Sequence, residues 1–299
     1  MALYIDRFGE AKIIHPFQGL WHLYKLNNAA MFGLLILSIV VIVLILTPVF
    51  APYEADRQFI NALFSPPSWA KNGHIEYLFG TDELGRDIFS RVLIGGRTTI
   101  SSAMLVILMA SSVGVTLSLL GTSIGGWLDK SISWFFELLL TFPSLITSLL
   151  VVALLGPGLF NAVIAVAIAM IPLFYTTTRS ETLNQMRQPY FAAAQLDGAK
   201  GLRLLTSTLI PNISNPIFIQ FSLSLSSAIL EIATLGFLGF GAQSPQTEWG
   251  TILGESRAYS YQAPWVIWLP GLSMFLTLFA IKLVTDGVRE TLEYDQQLK

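Results

Sequence analysis

Two carboxylates, Glu137 and Glu231, stand within or beside long apolar stretches of this 299-residue chain. A carboxylate at membrane depth is costly and faces a bundle interior or a wet cavity. There it could attract a cationic or amine-bearing solute along a translocation path, or carry a proton or ion. It could equally serve structure, by accepting hydrogen bonds between helices, because buried polar groups usually find partners. The remaining polar residues build no catalytic set. The chain has no cysteine, which excludes disulfides, thiolate catalysis and cysteine metal sites. His15, His22 and His74 lie outside the apolar stretches and form no metal-ligand pattern with the acids. No Ser/His/Asp or Cys/His constellation can be assembled in the apolar spans, and no G-x-x-x-x-G-K-[S/T] phosphate cradle occurs. The expectation is a chain without catalytic residues, metal or bound cofactor. A net charge of −2 also argues against nucleic acid as a partner.

A second group of residues points to a partner. The segment from Gln188 to Lys200 is polar and helix-forming. Tyr190, Phe191, Ala194 and Asp197 can share one face of a short helix. Ala192, Ala193 and Ala194 keep that helix thin, so another backbone can approach. Gly198 is placed to end it in left-handed geometry. Residues 200–209 can form a second short helix, with Pro211 as its stop. Two short helices bent at a glycine could plug into a groove on a soluble protein. They could also be an amphipathic connector lying at the membrane surface.

The elements that must position these residues follow from composition. The chain is 53% hydrophobic and 12% charged, against about 25% charged in soluble domains. A spanning helix needs about 20 mostly apolar residues. Charge-free runs place spans near 30–50, 98–121, 131–155, 159–178, 212–240 and 265–286, the third tolerating Glu137 and the fifth Glu231. The third and fourth are parted by Gly156-Pro157-Gly158. The runs are continuous rather than alternating, so they are helices and not barrel strands. The lead before residue 30 is too long and too mixed in charge for a cleavable signal.

Six crossings put both termini on one side. Eleven of the 17 Lys and Arg residues then share the side of the termini, which makes it the cytoplasm. The expected organisation is a cytoplasmic segment 1–29, a first span 30–50, an external loop 51–97, a five-helix core 98–290 and a cytoplasmic tail 291–299. The core carries the cytoplasmic loop 179–212. Within the external loop, 80–91 reads as a short amphipathic helix on the membrane surface. Thr81 or Asp82 would cap it, Asp87 and Arg91 would pair four apart, and Ile88, Val92 and Leu93 would form its apolar face. On the fifth span, Ser222/Ser226 and Ser224/Ala228, with Gly236 and Gly239, make a small-residue surface suited to close helix packing.

The loop carries a family resemblance. Ala192-Ala193-Ala194-Gln195-Leu196-Asp197-Gly198, followed by Leu209-Ile210-Pro211, resembles the "EAA" loop of ABC-importer permeases. Further segments are similar to the C-type subunit of the peptide class, which includes the dipeptide, oligopeptide, nickel and Sap systems. They include Phe79-Gly80-Thr81-Asp82-Glu83-Leu84-Gly85-Arg86-Asp87, Leu140-Thr141-Phe142-Pro143-Ser144-Leu145, Leu235-Gly236-Phe237-Leu238-Gly239-Phe240-Gly241 and Glu248-Trp249-Gly250. Ser65-Pro66-Pro67-Ser68-Trp69 and Ala263-Pro264-Trp265 resemble the Sap, or antimicrobial-peptide-sensitivity, branch. Ala192 departs from the family by standing where Glu is usual, which removes one expected contact to the ATPase. Thr208 and Ile210 stand where Ile and Leu are common.

The resemblance implies an all-α polytopic membrane protein of six transmembrane helices with the type I importer permease fold, in the bacterial inner membrane. It implies a heterodimer with a second, similar permease subunit, two cytoplasmic ATPases holding ATP and Mg, and an external substrate-binding protein. The coupling residues would be Tyr190, Phe191, Ala192, Ala193, Ala194, Asp197, Gly198 and Pro211. The cargo would be peptides, including cationic antimicrobial ones. Competing readings are a Sap-like polyamine (putrescine) exporter, an ion-coupled secondary transporter using Glu137 or Glu231, and a membrane scaffold.

Overall fold

A computed structural model describes residues 2–5, 11–14, 16–199 and 201–297. In chain order the elements are β1 (Ala2–Ile5), β2 (Ala11–Ile14), α1 (Pro16–Leu26), α2 (Asn28–Ile45), α3 (Thr47–Phe50), α4 (Ile88–Ile124), α5 (Gly126–Leu140), α6 (Ser144–Leu155), α7 (Leu159–Met186), α8 (Pro189–Leu196), α9 (Gly201–Leu204), α10 (Ile210–Phe237), α11 (Trp249–Ser256) and α12 (Trp265–Gln297). They form two compact units, Met1–Ile42 with Phe275–Lys299, and Val43–Met274.

In the first unit β1 and β2 make a short antiparallel hairpin ahead of α1. The start of α2 is held to the end of α12 by Asn27. Its Oδ1 accepts from the Ala30 N–H at 2.9 Å, and its Nδ2 donates to Glu290 Oε2 at 2.6 Å. A Cβ at Gly33 would run into Leu283, and one at Gly287 into Ala30. Small residues thus let the two helices touch backbone to backbone, where lipid supplies little driving force of its own. The expected tail 291–299 is the end of α12, helical to Gln297. Residues 298–299, like 1, 6–10 and 15 of the expected N-terminal segment, lie outside the described residues.

The second unit is built on α4, α7 and α10. Among the described residues five helices are long and apolar enough to cross a membrane, and α5 with α6 makes a sixth crossing if that bent pair counts as one. The single span expected over 131–155 is therefore corrected. Its axis turns by 94° between α5 and α6, because Pro143 supplies no donor and forces the preceding residue out of helical geometry. The 12 residues of α6 rise only about 18 Å. The Gly156-Pro157-Gly158 turn forms as expected, with Gly156 and Gly158 at φ +88° and +145°.

The surface helix expected at 80–91 does not form. Helix α4 runs unbroken through 37 residues and begins with Asp87, not Thr81 or Asp82, as its cap. The Asp87 side chain accepts from the Ser90 N–H. The apolar face of Ile88, Val92 and Leu93 is buried in protein rather than laid on lipid; Ile88 and Val92 join Trp249, Ile252, Ala263 and Val266 in one cluster. Arg91 pairs not with Asp87 but with Asp82 and Glu255, at 2.7 and 2.8 Å. Arg86 joins the same two acids at 2.7 and 2.9 Å. Asp82 can collect both cations because the turn at Gly80 and Gly85, each with positive φ, wraps the loop around its carboxylate.

At this same end α11 docks on α4 and α10. Glu248 is fully buried and caps α11, accepting from the Gly250 and Thr251 N–H groups at 2.7 and 2.6 Å. Burial pushes its carboxyl above the usual range, while the donors from Thr251, Gly250 and Thr99 oppose that. Trp249 donates from Nε1 to the Val92 carbonyl at 2.9 Å. A Cβ at Gly250 would collide with the Ala233 carbonyl, which explains the Glu-Trp-Gly order.

Candidate functional site

The loop expected at 179–212 is shorter than its sequence suggested, because α7 continues to Met186. Gln188 is extended and Pro189 opens α8, where its fixed φ suits a first turn. The helix ends through Asp197, whose N–H bonds to the Ala193 carbonyl, and Gly198 at φ +87°. No atom lies within 4 Å of a Cβ built at Gly198, so glycine is required there by backbone geometry and not by space. The chain then re-enters helix at Gly201.

Pro211 does not stop a second helix. It lies in the first turn of α10, and helical geometry is continuous from α9 through a π-turn at Leu205–Leu209. A proline ring crowds the carbonyl four residues back, and the wider π-turn just before it absorbs that crowding. The chain therefore turns away from α8 at Gly198, with a second positive-φ glycine, Gly201 at +53°, opening α9, and α10 carries α9 as a stiff extension. Lys200, the first residue of the expected second helix, lies outside the described residues.

The faces of α8 also differ from expectation. Phe191 is turned inward, 4% exposed, because burying a phenylalanyl ring stabilises by roughly 2–3 kcal/mol. It does not share an outward face with Tyr190 and Asp197. Outward stand Tyr190, Ala192, Ala193, Asp197 and Leu196. Leu196 is 89% exposed, an apolar residue at a helix tip that the face pattern had not singled out. Tyr190 donates to Gln185 Oε1 on α7 at 2.5 Å, tying α8 to its entry helix.

Glu137 and Glu231 are not brought together. Glu231 spans two helices: its carboxylate accepts from Ser144 Oγ at 2.6 Å and Ser148 Oγ at 3.1 Å, fastening α10 to the first turns of α6 just past the bend. Glu137 accepts from Ser133 Oγ at 2.9 Å and lines a polar cavity of about 350 Å³ with Ser133, Thr176, Arg179, Ser180, Leu183, Asn184 and Arg187. Arg179 makes a two-pronged pair with Asp129 on α5, at 2.9 and 2.7 Å.

The loop around α8 and the 51–87 segment occupy opposite ends of this unit. Arg179 and Asp129 meet near Gly121, late in α4. The Gly158 N–H, at the start of α7, bonds to the Phe240 carbonyl just past α10. The Asp82 network is at the start of α4. The sequence offered Asp82 as a cap, Arg86 and Glu248 only as parts of motifs, and Arg91 as a partner of Asp87; the ion network and the buried cap were not anticipated, although so many acids and arginines over 82–91 are more than an exposed turn needs.

A family model described as "Binding-protein-dependent transport system inner membrane component" matches residues 111–294. A second, "N-terminal TM domain of oligopeptide transport permease C", matches residues 15–67. The chain is 39% identical over 278 residues to the "Di/tripeptide transport system permease protein DppC" of Pseudomonas aeruginosa, covering 93% of this chain and 92% of that protein. It is 37% identical to the "Dipeptide transport system permease protein DppC" of Haemophilus influenzae, covering 93% and 94%. It is 36% identical to the "Peptide transport system permease protein SapC" of Escherichia coli, covering 91% and 92%. Its fold is similar to a chain of the inward-facing MetNI methionine ABC transporter. There the TM-score is 0.58 at 15% identity, over 71% of this chain and 98% of that one.

Proposed function

Because the chain belongs to the family of binding-protein-dependent transport system inner membrane components, we propose that it is a permease subunit of an ATP-driven peptide transporter. It is a multi-pass protein of the bacterial inner membrane, with both termini and α8 in the cytoplasm and the 51–87 segment outside. It pairs with a second, similar permease subunit. Two ATPase subunits, which hold ATP and Mg, grip the pair from the cytoplasm, and an external binding protein delivers peptide. This chain carries no catalytic residue.

The observation that carries this reading is the bent protrusion. Helix α8 stands between α7 and the stiff α9–α10 rod, turned out at Gly198 and showing Leu196 to solvent. A groove on an ATPase that closes on α8 pulls directly on two core helices, which is how a helix-in-groove contact transmits a push. Tyr190, Ala192, Ala193, Leu196, Asp197 and Gly198 are the contact residues. Phe191 and Pro211 serve by positioning α8 and α10. Alanine at 192 leaves the contact to shape and apolar area rather than to charge.

The test is reconstitution of the chain, with the permease and ATPase subunits that co-purify with it, into proteoliposomes supplied with peptide and binding protein. Gly198→Pro cannot adopt φ +87°, and Asp197→Lys reverses a charge on the contact face. Both are expected to insert normally and to lose the link between ATP hydrolysis and uptake. Wild-type coupling in both variants would reject the docking role. Uptake that persists without ATP while a proton gradient is held would reject the ATP-driven reading in favour of an ion-coupled one.

A further inference from the structure

The cavity between α5 and α7 holds an unusual set of charges. Both of Arg179's bonding nitrogens are committed to Asp129, so that pair is neutral. Among the described residues Glu137 accepts a hydrogen bond only from the hydroxyl of Ser133. Arg187, at the end of α7, makes no ion pair among the described residues. One carboxylate and one guanidinium are therefore left facing a wet space of about 350 Å³, at the lower end of the roughly 300–1,000 Å³ of small-molecule sites.

Their separation follows from the helices. Helices α5 and α7 run antiparallel, because Asp129 meets Arg179 while Phe136, further along α5, packs on Tyr175 with ring centroids 4.6 Å apart. Glu137 is thus level with the turn of α7 just before Thr176, and Arg187 stands about four turns away. Thr176, Ser180, Asn184 and Arg187 fall on one stripe of α7, spaced four, four and three apart. At 1.5 Å per residue the stripe is about 16 Å long. An extended chain covers about 3.3–3.6 Å per residue, so three or four residues bridge the two charges once the side chains reach inward. A single amino acid is too short. A lone cation would satisfy Glu137 but leave Arg187 unanswered.

We infer that this cavity is a transient site for a short zwitterionic peptide, with its amino end at Glu137 and its carboxylate at Arg187. Ser180 and Asn184 lie between to meet the backbone amides. The inference rests on the reading of the chain as a peptide permease. It adds a site on this subunit and a polarity: the carboxylate end lies nearest α8, on the release side.

The test uses the intact transporter in membranes with its ATPase subunits. The probes are tripeptides of two alanines and one benzoylphenylalanine, with the photoreactive residue at either end. The amino-end label is expected to cross-link near Glu137 and the carboxyl-end label near Arg187. Glu137→Gln should cut cross-linking of the free-amine peptide about tenfold, without affecting its N-acetylated form. Arg187→Gln should do the same for the free acid against its amide, as loss of one charge-assisted contact predicts. Exchanging the two residues, Glu137→Arg with Arg187→Glu, should reverse the two labelling positions. Wild-type uptake of the same peptides with labels mapping elsewhere, or unchanged in both single variants, overturns the site and leaves the peptide reading standing. Absence of uptake by the wild-type transporter overturns the peptide reading itself, and the site with it.

Discussion

Glu231, half-buried, and Glu248, fully buried, differ in how far the sequence announced their roles. Glu231 stood out as a charge in an apolar run, but both of its oxygens are engaged by Ser144 and Ser148. Glu231→Gln keeps an acceptor for one serine, so uptake of lysine-containing peptides is expected to stay at the wild-type level. Glu231→Ala strands the Ser144 hydroxyl, while Ser148 keeps its bond to the Ser144 carbonyl; it unfastens α10 from α6 and should lower the yield of folded protein. A selective loss of cationic cargo in a well-folded Gln variant would return Glu231 to the translocation path.

Glu248 read only as part of the Glu-Trp-Gly motif, yet it satisfies the first N–H groups of α11 and the hydroxyl of Thr251. Glu248→Ala strands those donors and should cost about 2–4 kcal/mol, read as a lower Tm of the purified protein. Because burial raises its folded-state pKa, Glu248 favours the folded state most when protonated. That contribution is full below the ordinary carboxylate range and lost as pH rises through the folded value. The wild-type Tm should therefore fall relative to Glu248→Gln as pH rises across that window. Parallel curves for the two proteins would refute the assignment.

At the scale of elements, breaks matter more than helices. The turn at Gly156-Pro157-Gly158 was legible because glycine and proline stand together between two apolar runs. The bend at Pro143 was not, since its neighbours Leu140, Phe142 and Leu145 are apolar and keep the run unbroken by hydropathy. The opposite error occurred at Pro211, where a π-turn carries the helix through a residue that reads as a stop. In the proposed coupling, helix α8 is the element whose surface meets the ATPase. Leu196→Asp removes an exposed apolar tip without disturbing the interior. It should change stability by no more than about 0.5 kcal/mol, leaving Tm nearly unmoved, and weaken ATPase association at least tenfold, as measured by co-purification. Unchanged association would move the contact away from the helix tip.

At the scale of the molecule, the two ends of the Val43–Met274 unit are built differently. One is fastened by the Asp82–Arg86–Arg91–Glu255 network and the α11 cap. The other ends in a protruding helix and an open polar cavity. Sidedness is directly measurable, because the chain contains no cysteine and any introduced thiol reports alone. Ile75→Cys, at a position 90% exposed, should react with a membrane-impermeant maleimide on intact spheroplasts. Leu196→Cys should react only after the membrane is opened. The reverse pattern would invert the topology and end the coupling account.

The sequence by itself determined the solvent, the number and rough extent of the apolar helices, the glycine at which the protruding loop bends, and the family. These depend on local properties: hydropathy over about 20 residues, the conformational freedom of one glycine, and short motifs that survive in order along the chain. Tertiary structure alone decided which charges are spent and which are free. Arg91 and Asp87 are four apart and read as partners, yet Arg91 turns to Asp82 and to Glu255, 164 residues away. Glu137 and Glu231 looked alike, and packing committed one to two serines while leaving the other beside an open cavity. A side chain's partner is set by which helices meet, and that is a property of the whole fold.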